Sequence, residues 1–264
     1  MLITLLTDFG TADYFVGAMK GVILSINPHA SIVDITHEIP PQDILSGAFT
    51  LSAVYQNFPE GTINVAVVDP GVGSTRRAII AASSNQFFVG PDNGLFSFIY
   101  ERETERRVFH ITNEDYFRKP VSATFHGRDV FAPAAAALSI GVAPEMLGIE
   151  ITDYVRLAEI KPGLASDGVI EGAIIHIDHF GNCITNLTRN DISEEMIERG
   201  LTLSINGREI KSFRRFFSED EESAKTPFAI WGSAGFLEIA AFRASAAKLL
   251  DVRAGQLIKV TSDR

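Results

Sequence analysis

Four polar clusters in the first half of the chain hold residue types suited to acid–base or metal chemistry. They are Thr7-Asp8-Phe9-Gly10, Asp69-Pro70-Gly71-Val72-Gly73 with Arg76 just beyond, Pro91-Asp92-Asn93-Gly94, and Phe125-His126-Gly127-Arg128-Asp129. They fall just after predicted strands, where open α/β sheets place their ligands. Asp8, Asp69, Asp92 and His126 together offer oxygen and imidazole ligands for Mg²⁺ or Mn²⁺. Each also has a plain structural use. Asp8 and Asp92 can cap helices, Asp69 can open a turn before proline, and Arg76 can be a surface charge. His126 can be a hydrogen-bonded structural histidine. Both readings are open for each residue alone, and the cluster carries more weight than its members.

Two further segments stand out in the second half. In Ile177-Asp178-His179-Phe180-Gly181-Asn182-Cys183-Ile184-Thr185-Asn186, one Asp, one Gly and two Asn interrupt an otherwise clean strand. A bulge or turn explains this. A binding site explains it too, because the Asn182 amide both donates and accepts and so suits an adenine edge. Trp231-Gly232-Ser233-Ala234-Gly235-Phe236-Leu237-Glu238 is either a glycine turn between strands or a second polar site. Familiar signatures are missing. Gly71-Val72-Gly73 lacks the third glycine and following helix of a dinucleotide loop, and there is no P-loop or His-Glu-x-x-His helix. There is no Gly-x-Ser-x-Gly elbow.

The elements that must position these groups change type along the chain. Leu2–Leu6, Ile32–Ile35, Ile63–Val68, Ala78–Ala82 and Phe87–Val89 read as strands. Phe15, Val16, Met19, Val22, Ile23 and Ile26 recur at helical spacing, Ile44–Phe58 reads as a helix begun by Pro41 and Asp43, and Val130–Leu138 is an alanine-rich helix. This alternation predicts an α/β fold, a mostly parallel sheet with helices on both faces, over residues 1–155. Residues 156–168 read as a linker, with Pro162-Gly163 and Ser166-Asp167-Gly168 as turn chemistry. Short strands dominate residues 169–264, with Asn206-Gly207 as a hairpin signal, and predict a small β-barrel-like domain. The acidic run Glu219-Asp220-Glu221-Glu222 reads as a solvated loop.

Composition narrows the classes. The 264 residues are 46% hydrophobic and 21% charged, as in a globular protein that builds its own core. No apolar run approaches the roughly 20 residues needed to span a membrane. MLITLLTDFG lacks the basic start of a signal peptide and reads as a first strand. A net charge of −10 disfavours nucleic acid as a partner but not a cationic small molecule. Cys183 is the only cysteine, which rules out an internal disulfide and fits a reducing cytoplasm.

Taken in order, six motifs resemble those of the S-adenosylmethionine hydroxide adenosyltransferases, relatives of the fluorinating and chlorinating enzymes that use the same substrate. They are Thr7-Asp8-Phe9-Gly10, Val68-Asp69-Pro70-Gly71-Val72-Gly73, Gly90-Pro91-Asp92-Asn93-Gly94, Thr124-Phe125-His126-Gly127-Arg128-Asp129, Phe180-Gly181-Asn182 with Thr185-Asn186, and Ser233-x-Gly235-Phe236-Leu237-Glu238-Ile239-Ala240. The resemblance covers nearly the whole chain. It implies an N-terminal α/β domain, a C-terminal β-barrel-like domain, and a homotrimer with substrate between neighbouring subunits. It implies hydrolysis of S-adenosyl-L-methionine to adenosine and L-methionine, with no metal and no cofactor.

Carried over by motif, Asp69, Arg76 and His126 correspond to the water-activating trio. Asp8, with Phe9 beside it, corresponds to the ribose site. Asp178, Phe180 and Asn182 meet the nucleoside and methionine ends, and Ser233 and Glu238 grip the amino-acid part. The halogenating relatives carry Tyr in place of Asp69, and Tyr and Ser in place of His126 and Gly127. The expected chemistry is in-line attack of water on ribose C5′, with Asp69 and His126 accepting hydrogen bonds from that water. Three rivals remain: a metal-dependent hydrolase built on Asp8, Asp69, Asp92 and His126, a non-catalytic adenosine or S-adenosylmethionine binder, and a chloride-using branch.

Overall fold

In the computed structural model the chain divides into two units, Met1–Leu157 and Ala158–Arg264. The structure describes residues 1–158, 161–165, 169–219 and 225–262. Ser166-Asp167-Gly168 and Asp220-Glu221-Glu222 lie outside them.

In the first unit, seven strands form one sheet: β1 (Leu2–Thr7), β2 (Ser31–Thr36), β3 (Ile63–Val67), β4 (Ala78–Ser83), β5 (Phe87–Pro91), β6 (Arg106–Ile111) and β7 (Gly148–Ile151). Their order is β2-β1-β3-β5-β4-β6-β7. β2, β1, β3 and β5 run parallel; β4 and β7 run against them. The parallel half matches the expected mostly parallel sheet. The antiparallel half arises because β4 returns on β5 through a tight turn, in which the Ser83 amide donates to the Gln86 carbonyl.

β1 and β3 are buried along almost their whole length, as strands covered on both faces must be. Side chains alternate across the sheet. Ile3, Leu5 and Val89 join a core with Met19 and Ile23 of α1 (Phe15–Ile26) and with Ala134–Leu138 of α4 (Ala132–Ser139). Phe88, one residue before Val89, instead meets the Tyr55 ring at 5.4 Å beyond α2 (Ile44–Val54). Asn64, the polar exception in β3, is fully buried and satisfied. It accepts from Thr4 Oγ1 at 2.8 Å and donates to Gln86 Oε1 at 2.8 Å. Asp43 caps α2, accepting from the Ser46 amide at 2.9 Å.

In the second unit the sheet includes β9 (Ile170–Ile177), β10 (Cys183–Thr188), β11 (Leu201–Ile205), β12 (Arg208–Ile210), β13 (Phe213–Arg214), β14 (Pro227–Trp231), β15 (Phe236–Ala241) and β16 (Leu257–Ser262). β12, β11, β16, β9, β10, β15, β14 and β13 are hydrogen-bonded in that order, and β8 (Gly163–Leu164) pairs with β9. The sheet curls until β12 touches β14. Its interior is apolar: Ile174, Cys183, Leu187, Leu203, Ile239, Ile258 and Val260. Asn206 and Gly207 form the β11–β12 hairpin turn with φ of 49° and 72°. Among the described residues, no helix is long and apolar enough to cross a membrane.

Candidate active site

The site in the first unit is built where the parallel strands end. Asp8 follows β1, His37 follows β2, and the Asp69 loop follows β3. The fourth contributor is the segment before a π-helical turn at Gly127–Phe131, which leads into α4. Such turns recur at functional sites. Asp129 inside that turn is fully buried. It accepts from Arg128 Nε at 2.7 Å, from the Ser122 amide at 2.9 Å and from Arg118 Nη1 at 3.3 Å. Burial alone would raise its pKa, but the bonds from Arg128 and Ser122 outweigh that and hold it below the usual carboxylate range. Asp129 thereby lashes the 118–122 segment to the turn that carries His126. The Asp69 loop is pressed onto the same segment. Gly73 has φ of +77°, and a Cβ there would lie 2.2 Å from the Ala123 carbonyl oxygen, so only glycine fits.

These loops bring Asp69, Arg76 and His126 together. Arg76 Nε donates to Asp69 Oδ1 at 2.9 Å and to Oδ2 at 3.0 Å, and Arg76 Nη2 also donates to Oδ2. The same Nη2 reaches His126 Nδ1 at 2.8 Å. A guanidinium only donates, so Nδ1 accepts and the neutral ring carries its proton on Nε2. Burial lowers the pKa of His126, and the Arg76 charge lowers it further, so the ring is neutral at pH 7. This revises the expected chemistry. With Nδ1 occupied by Arg76, His126 offers a hydrogen-bond donor at Nε2, and Asp69 remains the acceptor. The Arg76 guanidinium also lies 5.2 Å from the Phe131 ring centre.

Asp69 lines a cavity of about 420 Å³ with Asp8, Phe9, Phe15, Gln42 and Thr124. Arg76 and His126 line a separate cavity of about 780 Å³ with His110, Glu114 and Lys119. Asp8 Oδ2 accepts from the Gln42 amide at 2.8 Å. Burial raises the pKa of Asp8, against the lowering effect of that amide. Gln42 holds a left-handed φ of 67°, which turns its N–H toward Asp8. Asp92 belongs elsewhere. Its carboxylate accepts from Arg77 Nε at 2.8 Å and from the Val155 amide at 2.8 Å, and it lines neither cavity. The four-residue metal site weighed from sequence is therefore not assembled, and no His/Cys/Asp/Glu group suited to a metal occurs among the described residues.

In the second unit, Asp178 organises the loop between β9 and β10. Its Oδ1 accepts from the Phe180 amide at 2.9 Å and the Asn182 amide at 2.8 Å, and its Oδ2 accepts from Asn182 Nδ2 at 2.8 Å. This fixes the Asn182 side chain and leaves its carbonyl oxygen for a ligand. Gly181, with φ of +84°, packs so tightly that a Cβ would meet Ser245 Oγ at 2.0 Å. Phe180 is 76% exposed.

Phe180 and Asn182 line a cavity of about 540 Å³ with Phe217, Phe242, Arg243 and Ser245. Phe217, Phe242 and Arg243 were not singled out from sequence; an aromatic flanking a glycine-free strand end gives no local signal. Gln42 gives no signal either, because it meets Asp8 through its main-chain amide and not its side chain. Glu238 on β15 has its pKa pushed up to about 7 by burial and, secondarily, by the Asp178 charge. Ser233 is exposed in the turn between β14 and β15 and lines none of these cavities.

Comparison with known proteins gives the family. The N-terminal domain model of the SAM hydroxide adenosyltransferases matches residues 3–148, and the C-terminal domain model matches residues 172–259. A protein from Thermus thermophilus named (R)-S-adenosyl-L-methionine hydrolase is 40% identical, over 97% of this chain and 97% of its own. A fluorinase from an Actinoplanes species is 28% identical over 98% of this chain and 97% of its own. The crystal structure of an uncharacterized conserved protein from Thermotoga maritima, 34% identical, superposes with a TM-score of 0.89 over 98% of this chain and 99% of its own. The chain belongs to the SAM hydroxide adenosyltransferase family.

Proposed function

We propose that this protein hydrolyses S-adenosyl-L-methionine to adenosine and L-methionine, and that Asp69, Arg76 and His126 prepare the attacking water. The observation that carries the reading is the single guanidinium bonded to both the Asp69 carboxylate and His126 Nδ1, beside a cavity that also contains Asp8. Water is held between the Asp69 carboxylate, which accepts, and His126 Nε2–H, which donates. Its oxygen attacks ribose C5′ in line with the C5′–S bond. One water proton passes to Asp69 and then to solvent. The C5′–S electron pair leaves with sulfur, which becomes a neutral thioether and needs no acid. Fixed donors around a hydroxide-like oxygen favour the transition state, and in-line placement removes much of the entropic barrier.

Asp8, with Phe9 beside it, holds the ribose hydroxyls in this reading. Phe180 and Asn182 take the base, while Asp178, Ser233 and Glu238 serve the amino-acid end. The cationic substrate suits these carboxylates. The chain acts as a homotrimer in which neighbouring subunits complete each site, requires no metal or cofactor, and works in the cytoplasm, where a lone reduced cysteine is at home.

Incubation of the purified protein with S-adenosyl-L-methionine, followed by chromatography, tests this. Adenosine and methionine are expected in equal amounts, with EDTA present and with chloride absent. Tight binding without turnover over hours, loss of activity in EDTA, or a chlorinated nucleoside once chloride is supplied would each overturn it.

A further inference from the structure

Next to Asp8 lies a chain of polar groups that the proposed reaction does not use, buried at Thr7 and His37 and open to solvent at Asp34 and Lys20. His37 is 4% exposed and Thr7 is fully buried. Thr7 Oγ1 and His37 Nδ1 are 2.9 Å apart. On the far side of the ring, His37 Nε2 lies 3.1 Å from Asp34 Oδ1, a close but poorly aligned contact. Asp34 Oδ2 in turn accepts from Lys20 Nζ at 2.6 Å.

Thr7 Oγ1 shares a hydrogen bond with His37 Nδ1 and also accepts from the Phe9 amide, 3.2 Å away. The His37 main chain binds the same loop from its other end, because the Gly10 amide donates to the His37 carbonyl at 2.7 Å. The Ile39 amide adds a third tie, donating to the Thr7 carbonyl at 3.4 Å. Asp8, like Phe9 beside it, is thus bracketed on both sides by bonds to a single residue. Its own carboxylate is then met by the Gln42 amide from the continuation of the His37 segment.

We propose that His37 is a positioning residue that sets the Asp8 carboxylate for the ribose diol, acting through the Thr7 hydroxyl and the Gly10 amide. The inference rests on the reading of Asp8 given above. A buried hydrogen-bonded ring between two loop ends costs conformational freedom once, at folding, and leaves Asp8 little to lose when substrate arrives. Asp34, itself bonded to Lys20, faces the other ring nitrogen at 3.1 Å.

The test uses the full chain, with S-adenosyl-L-methionine and its 2′-deoxyribose counterpart as substrates. Thr7→Val removes the hydroxyl at constant shape, Thr7→Ser keeps it, and His37→Ala removes the ring. Thr7→Val and His37→Ala should raise KM for the ribose substrate about tenfold and shrink the ribose-over-deoxyribose preference in kcat/KM by a similar factor. Thr7→Ser should restore both. If His37→Ala does not fold, the Thr7 pair decides alone.

Thr7→Val with unchanged KM and preference would overturn the inference, as would a loss confined to kcat. Asp8→Asn separates the two ideas. If it abolishes the preference while Thr7→Val does not, Asp8 keeps its role and His37 loses its own. If Asp8→Asn leaves the preference intact, the reading of Asp8 itself fails.

Discussion

Arg76 Nη2 sits 2.8 Å from His126 Nδ1 while the same guanidinium grips Asp69, so one side chain fixes both the tautomer of the histidine and the direction of the carboxylate. Removing either partner should therefore damage the reaction more than binding. Asp69→Asn and His126→Ala are each expected to lower kcat by about 10²- to 10⁴-fold. Titration calorimetry with S-adenosyl-L-methionine should show near wild-type affinity in both.

Arg76→Lys retains the charge but loses the planar fork, and one ammonium cannot serve Asp69 and His126 together in this geometry. We expect a kcat loss approaching that of Asp69→Asn. A lysine variant with wild-type turnover would mean that charge alone is required.

The acid limb of the rate profile should report His126. Its pKa is depressed by burial and then by Arg76, so the neutral ring persists below the ordinary value of 6.5. Activity is expected to fall only as pH drops through that depressed value. Arg76→Gln removes one lowering influence and leaves Asp69, which raises the pKa, so the limb should move to higher pH. Stability carries the matching sign. Between the depressed value and 6.5 the unfolded chain binds the extra proton, so acidification through this window destabilises the native state.

Glu238 titrates near 7 because it is buried beside Asp178. If it grips the substrate ammonium, KM should rise as pH falls through about 7, where the carboxylate takes up its proton. Glu238→Gln should raise KM and flatten that dependence. Asp178→Asn should shift the dependence to lower pH, since a neighbouring negative charge is removed. Native stability moves the other way here. The folded state holds the proton more tightly, so this contribution fades as pH rises from 4.5 to about 7.

Gly73→Ala tests whether the Asp69 loop must lie against residue 123. A methyl group 2.2 Å from a carbonyl oxygen, on a left-handed backbone, should cost about 1–3 kcal/mol and shift Arg76 relative to His126. Thermal unfolding reads the first effect and kcat the second.

Much of this arrangement was legible in the sequence. Asp69, Arg76 and His126 sit in loops whose Gly and Pro content announces turns, and the strand before Asp69 is an apolar run broken only by Asn64. The Asn206-Gly207 hairpin and the Asp43 cap were equally plain, because both are decided by neighbours within a few residues. The insertion of β5 between β3 and β4 was not readable, since a period of two tells which face a residue takes but not which strand lies alongside. The π-helical turn at Gly127–Phe131 overlaps only the start of the alanine-rich helix read over Val130–Leu138, and its wider winding leaves no mark in the spacing. The division of labour between Asp69 and His126 also needed coordinates, because it depends on which imidazole nitrogen the arginine reaches. Asp92 has the right company in sequence for the same site, yet Arg77 draws it away.

Cys183 opens β10 directly after the loop that carries Asn182. It is fully buried, and burial pushes its thiol up to about 12. At neutral pH it is a thiol and not a thiolate, so alkylating reagents should leave the native protein unmarked and label it only on unfolding. A cysteine placed on the exposed Phe180 loop would thus be the sole reactive handle in the chain, and a fluorophore attached there would report on substrate arrival without any prior cysteine-free background.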